Sequence, residues 1–313
     1  MNSDFNFAPA SWVPFKDQAV MERLRRMTRE ELLVHPNPNF KIYITPGVEA
    51  IEIADMFTRI KESDDLDQPF VMISGNPCPG TYLPLVNLIN RFRVDCRNLI
   101  CFTMDEWADD QGNIAPLTYR AGFGYSFFKY FINRIDEDLR PQPGNIYYHC
   151  REFTPRYSEL IMERGNGGAD ACYSGPGWTG HVAFIEPCPE FTQVDSLDEY
   201  LQQKTKIVGL HPLTIAQNSL HGVFGQSGDV SAVPPKAATI GPFDVLHSRF
   251  RMESHDLTTG GSFSSWQRMV SRLITHGPVT PLVPGSIFQK IGCTLLMGEE
   301  IAKPIECMET AGY

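Results

Sequence analysis

In the run GPGWTGHVAFIEP (175–187), His181 stands five residues before Glu186. Across a tight turn, an imidazole at that spacing can donate to the carboxylate. The carboxylate then fixes the ring tautomer and raises the basicity of the free nitrogen. A histidine satisfied by core packing is the plainer alternative. Here, however, glycines flank the site, Thr179 and Gly180 lead into it, and an apolar strand delivers it to a sheet edge.

Two further stretches have residue types suited to the same place. In FTMDEW (102–107), Asp105 and Glu106 follow an apolar strand directly. Adjacent carboxylates repel, and partial burial raises a carboxyl pKa, so one of them is poised to abstract a proton near neutral pH. The alternative is that Asp105 caps the following turn. In SGNPCPGTY (74–82), Ser74, Gly75 and Asn76 lead from a strand into a helix. Glycine permits close backbone approach to a ligand, and a helix N-terminus offers unpaired N–H groups to an anion. The stretch otherwise reads as a plain strand-to-helix turn, matching neither a Walker nor a dinucleotide fingerprint.

These stretches meet only if strands end side by side, and the hydrophobic pattern supplies such an arrangement. KIYIT (41–45), PFVMISG (69–75), NLICFTMDEW (98–107, running into a loop), NIYYHC and ADACYSGPG read as strands. VEAIEIADMFTRIKE, TYLPLVNLINRF, GYSFFKYFINRI (124–135) and PRYSELIMERG read as helices between them. That alternation predicts α/β architecture: a single doubly wound domain with a mainly parallel, Rossmann-like sheet over residues 41–313, preceded by a helical extension at 1–40. AATIG (237–241) suggests a further short strand or the start of a helix, and CTLLMGEE a last strand. In SSWQRMVSRLITHG, an apolar stripe of Trp266, Met269, Val270, Leu273 and Ile274 is expected to face a core. The polar segment between Pro187 and Pro235 reads as a mobile cover. Ligands of such sheets bind outside the carboxyl ends of the strands.

Bulk composition narrows the partners. A formal net charge of −10 argues against general nucleic-acid binding, without excluding an anionic small ligand. The eight cysteines show no CxxC pair and no ligand spacing, so they read as reduced thiols rather than disulfide or metal partners. No apolar run approaches a membrane span and the N-terminus lacks a signal-peptide pattern, so a cytoplasmic location is expected.

Taken together, the motifs resemble the glucosamine-6-phosphate deaminase/isomerase family, within the wider group that includes 6-phosphogluconolactonase. The deaminases carry a pattern close to G-I-G-x-D-G-H-I-A-F-N-E-P where this chain has GPGWTGHVAFIEP, and M-D-E-Y where it has MDEW. Their T-G-G-T-P-x-x-T-Y loop is matched by SGNPCPGTY. Order and spacing agree from about residue 40 to about 300, and MDEW and AFIEP are deaminase-like rather than lactonase-like. The resemblance implies Asp105 as the base moving a proton between C2 and C1 of an opened sugar, and His181 as the group that opens the ring. It implies that Glu186 orients His181, that Glu106 supports the site, and that residues 74–76, Thr179 and Gly180 lie along the substrate. Such chemistry needs no metal or cofactor. The implied partner is a small sugar or sugar phosphate, with no nucleic acid or membrane, and assembly as a homo-oligomer stays open.

Departures from the pattern are specific. Thr179 replaces the family's aspartate, Leu220 in QNSLHG (217–222) replaces a phosphate-binding arginine, and GGSFSS (260–265) lacks a phosphate-binding lysine. His221, Lys236, Arg249 and Arg251 are the basic residues left to compensate. Three functions follow: an amine-releasing isomerase with its phosphate preference open, a divergent isomerase or lactonase on another sugar, phosphorylated or not, or a non-catalytic sugar-binding regulator.

Overall fold

The computed structural model of the protein describes residues 7–256 and 266–305. Seven strands form one parallel sheet: β1 (Phe40–Thr45), β2 (Phe70–Ser74), β3 (Leu99–Thr103), β5 (Ile146–Tyr147), β6 (Ala171–Ser174), β9 (Phe250–His255) and β10 (Cys293–Gly298). Their spatial order is β1-β10-β9-β6-β2-β3-β5. β2 and β3 are buried at every residue, as parallel strands covered on both faces must be. Alternate side chains feed two cores. Val71, Ile73, Ile100 and Phe102 pack on one face, while Met72, Leu99 and Cys101 pack on the other.

The helix Val48–Leu66 buries Val48, Ile53, Met56 and Ile60 along one stripe and ends at Asp67 in the left-handed region. The helix Pro79–Phe92 starts with proline at its first turn, where no N–H is needed, and buries Tyr82, Leu85, Val86 and Ile89. The charged N-terminal stretch forms two short helices, Gln18–Arg25 and Arg29–Leu32, whose Leu24 and Leu32 are buried in the main core.

The connection order reverses between β2 and β6. β2 leads outward to β3, whereas β6 leads through β9 and β10 towards β1. That reversal opens a crevice at the carboxyl ends of β2, β6 and β9.

Several sequence expectations are corrected. After Thr103 the chain enters a strand rather than a loop: β4 (Asp105–Ala108) pairs antiparallel with β8 (Lys236–Thr239), which pairs with β7 (Lys206–Gly209) in a second, three-stranded sheet. The segment 187–235 is therefore more than a cover, since it contributes β7 and buries Phe191, Tyr200 and Val208. The helix expected at 124–135 is Phe123–Tyr130 followed by a separate 3-10 turn, Ile132–Arg134. On the Gln267–His276 helix, Ile274 is buried as expected, but the rest of the buried face is polar: Gln267, Ser271, Arg272 and Thr275. Met269, Val270 and Leu273, half-buried, pack against the main core, as the stripe predicts. β9, for which the sequence carried no expectation, sits between β6 and β10 with Arg251, Glu253 and His255 along its length.

Candidate active site

A cavity of about 230 Å³ opens at the crevice and draws its wall from four strand ends. β2 supplies Gly75 and Asn76, the turn after β3 supplies Met104 and Asp105, β6 leads into Gly175–Gly177, and β9 supplies Ser254. Glycine is required where the strands converge. A Cβ on Gly75 would lie 2.8 Å from the Tyr173 carbonyl oxygen, and one on Gly175 would lie 2.8 Å from that of Ser254.

Asp105 lines this cavity at 9 % exposure, and no hydrogen-bond partner occupies its carboxylate among the described residues. Burial, then the neighbouring Glu106 charge, holds its carboxyl well above the usual carboxylate range. Its register is fixed by pairing with Thr239 on β8. The Thr239 hydroxyl in turn accepts from the Phe184 N–H at 3.0 Å, which ties the Asp105 strand to the histidine turn.

His181 lines the same cavity. Its Nδ1 lies 3.1 Å from Glu186 Oε1 and 3.4 Å from Thr214 Oγ1. The pair meets because the chain folds back between them: Ile185 N–H donates to the Val182 carbonyl at 2.9 Å, and Ala183 takes a φ of 51°. A non-glycine residue in that region is strained, and such strain concentrates at functional sites. The ring packs edge-on against Phe184, with centroids 5.6 Å apart. Gly177 is the other requirement, since a Cβ there would stand 2.2 Å from His181 Nε2. With Glu186 accepting at Nδ1, Nε2 is the nitrogen left for proton transfer.

The remaining predicted residues divide. Gly75 and Asn76 line the cavity, but Ser74 does not; its hydroxyl donates to the Phe102 carbonyl at 3.2 Å. Thr179 and Gly180 also lie outside the wall. Thr179 donates to Glu186 Oε2 at 3.1 Å, and Gly180 supplies a left-handed φ of 75°. Glu186 is fully buried behind the histidine. Glu106, next to Asp105 along β4, points to the opposite face, as alternation along a strand requires. Its carboxylate accepts from the N–H groups of Trp107, Phe123 and Gly124 at 2.8, 3.1 and 2.7 Å, capping the Phe123–Tyr130 helix.

Sequence reasoning missed Glu52, Tyr82, Tyr173, Gln217 and Ser254, which complete the wall. Glu52 was legible only as one charge of a surface helix. The basic candidates fare unevenly. His221 lines the cavity, with burial, then His181, holding its pKa below the ordinary value. Arg249 is bound to Asp170 and to carbonyls of residues 165–168, and Arg251 to carbonyls of residues 245–248 and 291–292, so neither faces the cavity. Lys236 lies outside the wall. GGSFSS (260–265) falls outside the described residues. Among the described residues no cluster of His, Cys, Asp and Glu could hold a metal ion, and no helix is long and apolar enough to cross a membrane.

The parallel sheet, the reversal of strand order and the crevice beyond it define a Rossmann-like α/β protein with a cavity at its switch point. No family model matches the chain. Among curated proteins, it is 31% identical over 198 residues to the glucosamine-6-phosphate deaminase of Aliivibrio salmonicida, spanning 61% of this chain and 65% of that one. It is 27% identical over 227 residues to the deaminase of Clostridium botulinum, spanning 71% and 80%. Among solved structures, a monomeric glucosamine-6-phosphate deaminase shares the fold with a TM-score of 0.65 at 20% identity, over 84% of this chain and 99% of that one. The 6-phosphogluconolactonase from Trypanosoma cruzi shares it with a TM-score of 0.58 at 14% identity, over 90% and 99%. The chain is thus similar in sequence to glucosamine-6-phosphate deaminases, and it shares its fold with a deaminase and with a 6-phosphogluconolactonase.

Proposed function

We propose that the protein is an amine-releasing aldose–ketose isomerase acting on an amino sugar, in the manner of its deaminase relatives. The observation that carries this reading is the facing of Asp105 and His181 into one cavity, with His181 braced by Glu186. His181 Nε2 moves a proton from the anomeric hydroxyl to the ring oxygen, and the C1–O5 bond breaks to give the open aldehyde. Asp105 then takes the C2 proton, acidified by the adjacent carbonyl, while O1 gains a proton given up by the ammonium group, and Asp105 returns the C2 proton to C1. That leaves an iminium carbon at C2. Water adds there, ammonia departs, and the ketose remains, so one water is consumed for each ammonia released.

Burial matters to both steps. A carboxylate held without hydrogen-bond partners is a stronger base than one in water, as a general base requires. Glu106 supports the site by fixing β4 against the helix that carries Phe123. The reading is tested by measuring ammonia and ketose together from an amino sugar, with wild type beside Asp105→Asn. Equimolar release by wild type, abolished in the variant, is expected. Release of neither product, or lactone hydrolysis without ammonia, would sink it.

A further inference from the structure

The cavity wall carries charge of the wrong sign for a phosphate at the end that Glu52 lines. The cavity's acidic side chains are Asp105 and Glu52, and no lysine or arginine lines it among the described residues. Residues 1–6, 257–265 and 306–313 contain no lysine, arginine or histidine either. The N-terminus of the Pro79–Phe92 helix borders this end through Cys78, Thr81 and Tyr82. A helix start of that kind would ordinarily welcome an anion. Here the chain supplies one itself. Glu49 Oε1 accepts from the Thr81 hydroxyl at 3.1 Å and would lie 2.5 Å from a Cβ on Gly80. One helical turn further on, Glu52 Oε2 accepts from the Ser254 hydroxyl at 2.5 Å and faces the cavity directly. Burial, opposed by the Ser254 bond, lifts the Glu52 carboxyl to about 7, so near neutral pH it exchanges between accepting and donating forms.

Beside this cavity, and sharing Asn76, Phe123 and His221 with it, lies a recess of about 400 Å³. Its walls include Tyr130, Trp178, Leu220, Val223 and Trp266, with no acidic or basic side chain other than His221 among the described residues. Sugar rings present C–H faces that pack on aromatic side chains, while phosphates do not.

We infer that Glu49 and Glu52 are specificity-determining residues that exclude a phosphate, and that the substrate is an unphosphorylated amino sugar whose hydroxyls bond to Glu52 and Ser254. The inference rests on the reading of the cavity as a sugar site, but not on which reaction occurs there. A dianion beside Glu52 would be repelled in a partly buried setting where screening is weak, with the exposed Glu49 adding like charge at the helix start, whereas a hydroxyl finds an acceptor.

Two measurements separate the substrate class from the chemistry. The first is calorimetric binding of glucosamine, glucosamine-6-phosphate and inorganic phosphate to the Asp105→Asn variant. Glucosamine is expected to bind at least about tenfold more tightly than its 6-phosphate, and phosphate not at all. Tighter binding of the phosphorylated sugar, or binding of neither sugar, overturns the inference. The second compares kcat/KM for the two sugars in wild type and in Glu49→Gln/Glu52→Gln/Leu220→Arg. The substitutions should shift the ratio towards the phosphorylated sugar by about tenfold or more, and an unchanged ratio counts against it. If glucosamine binds preferentially and yet wild type releases no ammonia, the substrate class stands and the isomerase reading falls. If wild type turns over the 6-phosphate better than glucosamine, the reverse holds.

Discussion

The two ends of the cavity have parted company. At the histidine end, each group has a partner that fixes it: His181 is held by Glu186, Glu186 by Thr179, and the strand carrying Asp105 by Thr239. At the other end, the helix start that would receive an anion is met by Glu49, and Glu52 projects into the space beyond it. Proton-transfer geometry depends on a few exact contacts, so it tolerates little change. Recognition of a remote substituent depends on summed charge, which a few substitutions on a helix face reverse.

The sharpest way to break this comparison is to remove the base. Asp105→Asn keeps shape and volume but cannot take a proton, and should lower kcat/KM by roughly 10³-fold, within the range usual for general bases. Because the aspartate is buried with no partner, the variant should be no less stable, which thermal denaturation checks. Wild-type activity should fall as pH is lowered, along an acid limb displaced above the ordinary carboxylate range. That displacement follows from burial and the Glu106 charge, and the limb should vanish in the variant.

Beneath the acidic end, Glu253 is fully buried on β9 and accepts from Ser174, while its Oε1 and the Nε2 of His255, 3.9 Å away, have no other partner. Burial, partly offset by the Ser174 bond, raises its carboxyl from 4.5 to about 8. A raised folded pKa means the native state holds the proton where the unfolded chain has lost it. This group's contribution to stability is therefore fully present below pH 4.5 and is lost as pH rises towards 8. Glu253→Gln should flatten that decline, with a gain on the order of 2–4 kcal/mol at pH 8 measured by denaturant unfolding. An unchanged pH slope would show that the carboxyl is not held protonated.

At the histidine end, Gly177→Ala tests close packing rather than charge. Its Cβ would meet His181 Nε2 at 2.2 Å and Gln217 Oε1 at 2.6 Å, so the ring or the loop must move. A displacement of the order of an ångström costs roughly 10²-fold in rate. The stability cost should stay near 1–3 kcal/mol, since the clash falls at a cavity edge. Wild-type kinetics in this variant would mean that His181 is not held where its hydrogen bonds place it.

How much of this was legible beforehand depended on locality. β2 and β3 announced themselves as apolar runs, and the His181–Glu186 pair was readable because five residues of chain bring its members together. β9 was not readable, since Arg251, Glu253 and His255 contradict the apolar signature of a central parallel strand. Their partners come from distant segments: Ser174 for Glu253, Ser271 for His255, and carbonyls near residue 291 for Arg251. β4 was hidden for the same reason, because its mate β8 lies more than 120 residues away along the chain. Glu52 became visible only once the ends of β2, β6 and β9 had been placed around it.

Thr179 gives the finest test of the histidine end. Its hydroxyl donates to Glu186 Oε2 while His181 takes Oε1, so the carboxylate is held at both oxygens. Thr179→Val preserves the branched shape and removes only the donor. A buried acceptor that loses one neutral hydrogen bond costs about 1–2 kcal/mol, and the effect on kcat should be only a few-fold if the histidine contact survives. A second carboxylate at this position, as in Thr179→Asp, would instead face Glu186 across a short gap, and like charges there raise each other's pKa. The Asp variant should therefore lose activity with rising pH, where the Val variant loses it evenly. If Thr179→Val were as damaging as Asp105→Asn, the threonine would have to touch substrate rather than Glu186, and the division between the braced end and the charged end would need redrawing.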